Sequence, residues 1–146
     1  MIGRIYKITS INTDKIYIGS TTKSLTERLR CHEYNYKAYQ NGKMNNVKSF
    51  EILEKENYKI QLLEKIEYDA KTELFKREGY YIRKHRDICV NKCIAGRTLE
   101  QYRIDNRDKL REKQNEKFEC VCGKTYTRSN KTKHEKTKIH IAFNNQ

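Results

Sequence analysis

The sequence predicts an α+β fold: a small antiparallel meander covered by helices over residues 1–96, then a charged helical linker and a small metal-binding module. Three observations predict it. Short β-branched and aromatic runs at residues 4–8 and 15–18 flank the turn-forming stretch 10–14, which is the pattern of a hairpin. Beyond them the apolar spacing changes from alternation to helical periods. Residues 118–146 hold two cysteines and two histidines but almost no aliphatic side chains, so this segment cannot build a core without a metal.

The elements follow in order. In the hairpin, Ile16 and Ile18 share one face, with Tyr17 and Gly19 on the other. Ser24, with Glu27 three residues later, is a capping box. It opens a helix on which Leu25 and Leu29 share one face, and Arg28 and His32, four apart, another. Residues 46–56 read as helical around Phe50, Ile52 and Leu53. Residues 60–66 supply a third strand, residues 72–86 a last helix, and residues 88–93 close the region. From Arg97 the chain turns highly charged. Thr98 and Gln101 form a second capping box, and Leu99, Tyr102, Ile104 and Leu110 make a poor stripe. Residues 97–117 therefore read as a solvated connecting helix.

Bulk properties narrow the function. Mean hydropathy is −1.05, and hydrophobic residues make up 36% of the 146, which argues against a large core. No apolar run is long enough to span a membrane and no charged-then-apolar leader follows Met1, so neither a membrane protein nor a secreted one is expected. The 32 basic and 19 acidic residues give a net charge of +13. That excess favours a polyanionic partner, nucleic acid first. A merely soluble basic surface, or attraction to an anionic membrane, also fits the charge, although no compact basic amphipathic helix supports the membrane. Five cysteines, at positions 31, 89, 93, 120 and 122, are an odd number, and only Cys120 and Cys122 look paired by local spacing. An intracellular, reducing compartment, cytoplasm or nucleus, is expected, with the close pair holding metal rather than a disulfide.

The helix over residues 72–86 carries an anomaly. Leu74, Glu78, Tyr81, Ile82 and His85 fall on one stripe, so Glu78 sits where the core should be. A buried carboxylate needs a cation or a strong hydrogen bond. An ion pair with Arg or Lys is the commoner fate, and ligation of a metal at the core's edge is the other. Tyr6 and Tyr17 stand on adjacent strands, where either alone is ordinary sheet packing. With Arg28, His32 and Glu78 they form a set that, assembled against one sheet face, suits phosphodiester cleavage. A metal neutralises the phosphate, an arginine holds the developing charge, and a phenol or imidazole handles the water's proton.

These residues carry a family resemblance. Residues 2–96 resemble the GIY-YIG nuclease family. Arg4-Ile5-Tyr6 after Gly3 matches the first triad, and Tyr17-Ile18-Gly19 followed by Ser20 the second. Arg28 matches the family's arginine, Glu78 its metal-binding glutamate and Asn91 its late asparagine, while Arg4 stands where the first triad has its glycine. The resemblance implies a three-stranded antiparallel sheet flanked by helices, and hydrolysis with one divalent ion, Mg2+ or Mn2+. It implies that Glu78 ligates that ion, Tyr6 is the general base or orients the attacking water, and Tyr17 holds water or phosphate. By the same resemblance Arg28 binds the scissile phosphate and His32 is an auxiliary proton or phosphate contact. Lys43 is the other candidate for that auxiliary role, and Asn91 is expected to tie a loop to the sheet.

In the tail, Cys120 and Cys122 followed by His134 and His140 suit tetrahedral Zn2+. Phe118 and Tyr126 stand at positions that resemble the aromatic core of a C2H2 zinc finger. One residue separates the cysteines, and the polar run Lys131-Thr132-Lys133 precedes the first histidine, so the module resembles a divergent finger; a basic disordered tail is the competing reading. A finger helix is expected over about residues 129–140, with Arg128, Lys131, Lys133, Lys136 and Lys138 suited to phosphate contact. Residues 97–146 hold 13 basic and 7 acidic residues, a net +6, so both parts of the chain can hold a polyanion. The whole reads as a divalent-metal DNA endonuclease over residues 1–96, tethered by 97–117 to a zinc module over 118–146 that aids binding of double-stranded DNA. The architecture resembles phage- or virus-borne nucleases, for which the compartment is the host cell. A non-catalytic nucleic-acid-binding scaffold and a repair nuclease are the alternatives, and the presence of Tyr6, Tyr17, Arg28 and Glu78 together favours an enzyme.

Overall fold

The computed structural model describes residues 1–144. The chain forms two compact units, Met1–Arg97 and Thr98–Gln146, each with its own small sheet. The first opens with the expected hairpin, strands β1 (Ile2–Ser10) and β2 (Thr13–Thr21), which place Tyr6 opposite Gly19 and Ile8 opposite Tyr17. Ser10 and Asn12 fasten the turn: Ser10 Oγ donates to Glu56 O at 2.6 Å, and Asn12 Nδ2 donates to Lys55 O at 2.6 Å. Helix α1 (Leu25–Gln40) starts at the capping box, with Ser24 Oγ accepting from Glu27 N–H and Glu27 accepting from Ser24 N–H. Two donors that a helix start leaves orphaned are thereby satisfied. Helix α2 (Phe50–Leu53) is a single turn, shorter than the apolar pattern suggests. Strand β3 (Tyr58–Glu67) and helix α3 (Lys71–Lys84) complete the frame.

The sheet is three-stranded and antiparallel, but it is not a meander. Strand β3 pairs with β1, and the order is β2-β1-β3. Burial gives the reason. Strand β1 carries Ile5, Tyr6 and Ile8, all fully buried and divided between the two faces, as suits a strand flanked on both sides. Residues 22–57 give the chain the length to pass from β2 to the far side of β1. On one face Ile5, Ile16 and Ile18 pack with Leu74 and Ile82 of α3. On the other Tyr6 and Ile8 pack with Ile52 and Leu53, joined by Tyr17 and Leu25. The expected split between Ile16 and Ile18 on one side and Tyr17 on the other is observed. Each buried aliphatic side chain is worth about 1.5–3 kcal/mol, so this small core is held by few residues. The outer edge of β2 is closed by the segment after α3. Ile16 N–H donates to Ile88 O and Val90 N–H to Ile16 O, both at 2.9 Å. Asn91 then takes both backbone groups of Ile18, accepting its N–H at 2.9 Å and donating to its carbonyl at 2.8 Å.

In the second unit the charged segment is two helices, α4 (Leu99–Asp105) and α5 (Arg107–Asn115), with Asn106 between them. Thr98 and Gln101 form the expected box. Strands β4 (Lys117–Glu119) and β5 (Thr125–Thr127) make a hairpin in which Phe118 pairs with Tyr126. The single helix expected over residues 129–140 is instead a 3-10 turn (Arg128–Asn130), α6 (Lys131–Glu135) and α7 (Lys138–Asn144). Geometry requires the break. His134 and His140 are six residues apart, about 240° around a continuous helix, so both could not face one point. Thr137 makes the corner, its Oγ1 donating to His134 O at 2.8 Å and accepting from His140 N–H at 3.4 Å. Among the described residues, no helix is long and apolar enough to cross a membrane.

Candidate active site and metal centre

The site of the first unit is built around the phenol of Tyr6, which β1 delivers fully buried to the sheet face beneath α1. Two side chains of α1, one helical turn apart, converge on its oxygen. Arg28 Nε donates to it at 2.8 Å, and His32 Nε2 lies 2.8 Å from it. Tyr17 closes the group, with its ring centroid 6.5 Å from Tyr6 and 5.5 Å from His32. Gly19 makes room for this arrangement: a Cβ there would lie 2.5 Å from Tyr6 Oη. The glycine of the second triad is therefore a steric requirement of the phenol opposite it.

Glu78 arrives from the other side of the sheet. Helix α3 packs on the face of Ile5 and Ile18, and Ser20 Oγ donates to Glu78 Oε2 at 2.5 Å. The tyrosines and the glutamate thus do not share one face, as the sequence suggests. Among the described residues Glu78 forms no ion pair, so the commoner reading of its burial is not the one observed.

The electrostatics tie these residues into one group. Burial raises the Glu78 carboxyl above its ordinary value, against the opposing pull of the Ser20 hydroxyl and the Arg28 charge. Burial also raises Tyr6, which Arg28 pulls down and Glu78 pushes up. It raises Tyr17 strongly, with further upward pressure from Tyr6 and Glu78. His32 is 4% exposed; burial, then the Arg28 charge, lower it to about 4, so its imidazole is neutral at pH 7. A half-buried carboxylate beside a hydroxyl and two phenols is an oxygen-only donor set. That suits a hard divalent ion such as Mg2+, which keeps several waters and needs only one or two protein carboxylates.

The second unit gathers a different donor set. One nitrogen or sulfur from each of Cys120, Cys122, His134 and His140 lies within 4.8 Å of the others. Cys120 Sγ is 3.3 Å from His140 Nδ1, and Cys122 Sγ is 3.4 Å from His134 Nε2. A tetrahedral ion with metal–sulfur bonds of about 2.3 Å and metal–nitrogen bonds of about 2.0 Å has edges of about 3.5 Å, so the spacing fits. The β4–β5 turn presents the thiols, with Gly123 at φ 77° and its N–H donating to Cys120 O at 2.9 Å. Tyr126 stacks between Phe118 at 6.0 Å and His134 at 5.0 Å. Asn144 Nδ2 lies 3.1 Å from His140 Nε2.

A family model described as the GIY-YIG catalytic domain matches residues 2–93. The chain belongs to the GIY-YIG family. The rest of the chain, with the Cys2His2 cluster, lies beyond that match. Among curated proteins, the uncharacterized protein V14 of the Sputnik virophage is 45% identical over 49 residues, a stretch that covers 32% of this chain and 43% of that protein. Among solved structures, a mutant of the catalytic domain of the intron endonuclease I-TevI is similar with a TM-score of 0.48 and 21% identity, over 65% of this chain and 97% of that one.

Within the GIY-YIG domain, the structure brings Tyr6, Tyr17, Arg28 and His32 together and couples Glu78 to them. Lys43 is in the exposed turn past the end of α1, away from His32 midway along the helix. Asn91 binds the backbone of Ile18. Two residues of the site carried no assignment from sequence. Ser20 follows the second triad directly, and that adjacency was its signal. Ser49, whose Oγ lies 3.0 Å from His32 Nδ1, sits in a polar stretch with no periodicity to mark it. In the tail, Arg128, Lys131, Lys133, Lys136 and Lys138 are all exposed.

Proposed function

We propose that the chain is a divalent-metal-dependent DNA endonuclease, with residues 1–96 cutting, 97–117 connecting, and 118–146 acting as a Zn2+ module that holds double-stranded DNA. The observation that carries this reading is Glu78, a half-buried carboxylate with a hydroxyl for a partner, electrostatically coupled to a Tyr6–Arg28 pair. Mg2+ or Mn2+ on Glu78, when bound, supplies charge neutralisation to the phosphate and lowers the barrier to water attack.

The chain's own residues do the rest. Arg28 uses Nε on Tyr6 and keeps its two terminal nitrogens for the scissile phosphate, the fork geometry that suits it. Tyr6, as phenolate, takes a proton from the attacking water as the new O–P bond forms and the bond to the leaving oxygen breaks. The leaving oxygen takes its proton from solvent. Tyr17 holds the water or phosphate beside it, and neutral His32 supports Tyr6 from within the core. Arg128, Lys131, Lys133, Lys136 and Lys138 contact phosphates and so supply affinity more than sequence choice.

The test is Glu78→Ala with supercoiled plasmid and Mg2+. Nicking should fall by at least about a hundredfold, the scale of a lost metal ligand, while DNA binding stays within a few-fold. Cutting at the wild-type rate would contradict the metal assignment.

A further inference from the structure

Residues 97–117 read from sequence as a solvated link, yet one face of α5 is covered. Leu110 is half-buried, and Leu110, Lys113 and Gln114 line a cleft of about 260 Å³ with Arg128 and Ser129 of the 3-10 turn. The three α5 positions are i, i+3 and i+4, which share one side of a helix. The floor of the cleft is apolar, made by Leu110 and the carbon stems of the two long cations. Arg128 continues this surface. Its guanidinium carbon lies 5.9 Å from the centre of the Phe118 ring, and with Phe118, Tyr126 and Lys131 it lines a second cleft of about 200 Å³.

The charge around these clefts is one-sided. Among the described residues no carboxylate lines either cleft, and neither Lys113 nor Arg128 is in an ion pair. Lys131 has a loose partner in Glu135, 3.9 Å away. Asp108 and Glu112, two residues to either side of Leu110, fall about 200° around α5 from it, on the far face. We propose that Lys113 and Arg128 form a binding site for the sugar–phosphate backbone of DNA, so that α5 belongs to the surface that holds DNA. A deoxyribose has an apolar C–H face with a phosphate on each side of it, which matches an apolar floor between cations. Lys113 and Arg128 take the phosphates, with the Gln114 amide and the Ser129 hydroxyl as further donors. Contact between α5 and the turn sets the spacing of the two cations before DNA arrives, which lowers the cost of ordering them. This rests on the reading of residues 118–146 as a module that holds DNA, and adds to it a residue outside that segment.

The test is the affinity of the full, zinc-loaded chain for a short DNA duplex, read by fluorescence anisotropy over a range of salt concentrations. Mg2+ is left out, so that binding is read apart from cutting. Arg111 is the control: it is exposed, carries the same charge on the same helix, and lines neither cleft. Lys113→Ala should raise Kd about three- to tenfold and lower the slope of log Kd against log salt by about one, the loss of one phosphate contact. Arg111→Ala should stay within about twofold with an unchanged slope, since salt screens a charge that meets no phosphate. Lys113→Arg should bind as wild type does. Zinc content and circular dichroism should be those of the wild type, because both positions are exposed; if Lys113→Ala loses zinc, Lys113→Gln, which keeps a stem over Leu110, carries the same prediction. Equal effects at Lys113 and Arg111, or none at Lys113, would overturn the inference and leave the module's role in holding DNA standing. A wild type that binds no duplex would overturn both.

Discussion

At the scale of single residues, the site is a set of buried groups whose protonation the fold controls. His32 is the clearest case. Its imidazole is lowered to about 4 from 6.5 by burial and by Arg28. The unfolded chain therefore binds a proton that the folded chain refuses between those values. The stability this contributes is complete above pH 6.5 and is lost as the pH falls toward 4, a change of about 3 kcal/mol. Urea unfolding at pH 7 and pH 4.5 should show that loss in the wild type and much less of it in His32→Gln; equal losses in the two would contradict the burial of a neutral ring. Glu78 shows the opposite tendency, since burial raises its carboxyl and a cation would relieve that pressure. Its importance was legible from its place in the apolar stripe of α3, because a carboxylate among Leu74, Tyr81 and Ile82 conflicts with the helix period. Its partner was not. Ser20 lies 58 residues away, and nothing in local spacing links the two.

At the scale of elements, the strands and helices act as rulers. One turn of α1 sets Arg28 and His32 on the same phenol, and the β1–β2 register sets Gly19 opposite Tyr6. A methyl at position 19 would strike an oxygen that cannot retreat, since Tyr6 is fully buried. Gly19→Ala should therefore cost about 1–3 kcal/mol in a thermal or urea melt, and should depress cleavage further than the stability loss explains. An unchanged melt would contradict the close packing around the phenol. The capping boxes of α1 and α4 and the hairpin were legible because each is written within a few residues. Strand order was not, because pairing of β3 with β1 depends on how residues 22–57 cross the sheet. The broken tail helix was hidden for a related reason: convergence of His134 and His140 on two thiols overrides the local helical pattern.

At the scale of the whole molecule, the chain is two compact units, and the proposed function gives each a separate role. The GIY-YIG unit has an apolar core on both faces of its sheet. The second unit has no buried hydrophobic side chain among its described residues, so its stability is expected to rest on the Cys2His2 cluster. Chelation of zinc, or Cys120→Ser, should unfold residues 118–146 and weaken DNA binding, while circular dichroism retains the strand and helix signal of residues 1–97. Retained affinity in a protein shown by elemental analysis to be zinc-free would contradict a zinc-dependent role in holding DNA. The most direct measurement is incubation of the purified full chain with supercoiled plasmid, with and without Mg2+. Nicked or linear product that forms only with the metal is the predicted result; binding of the plasmid without cutting under both conditions would contradict the account and leave a nucleic-acid-binding scaffold in its place.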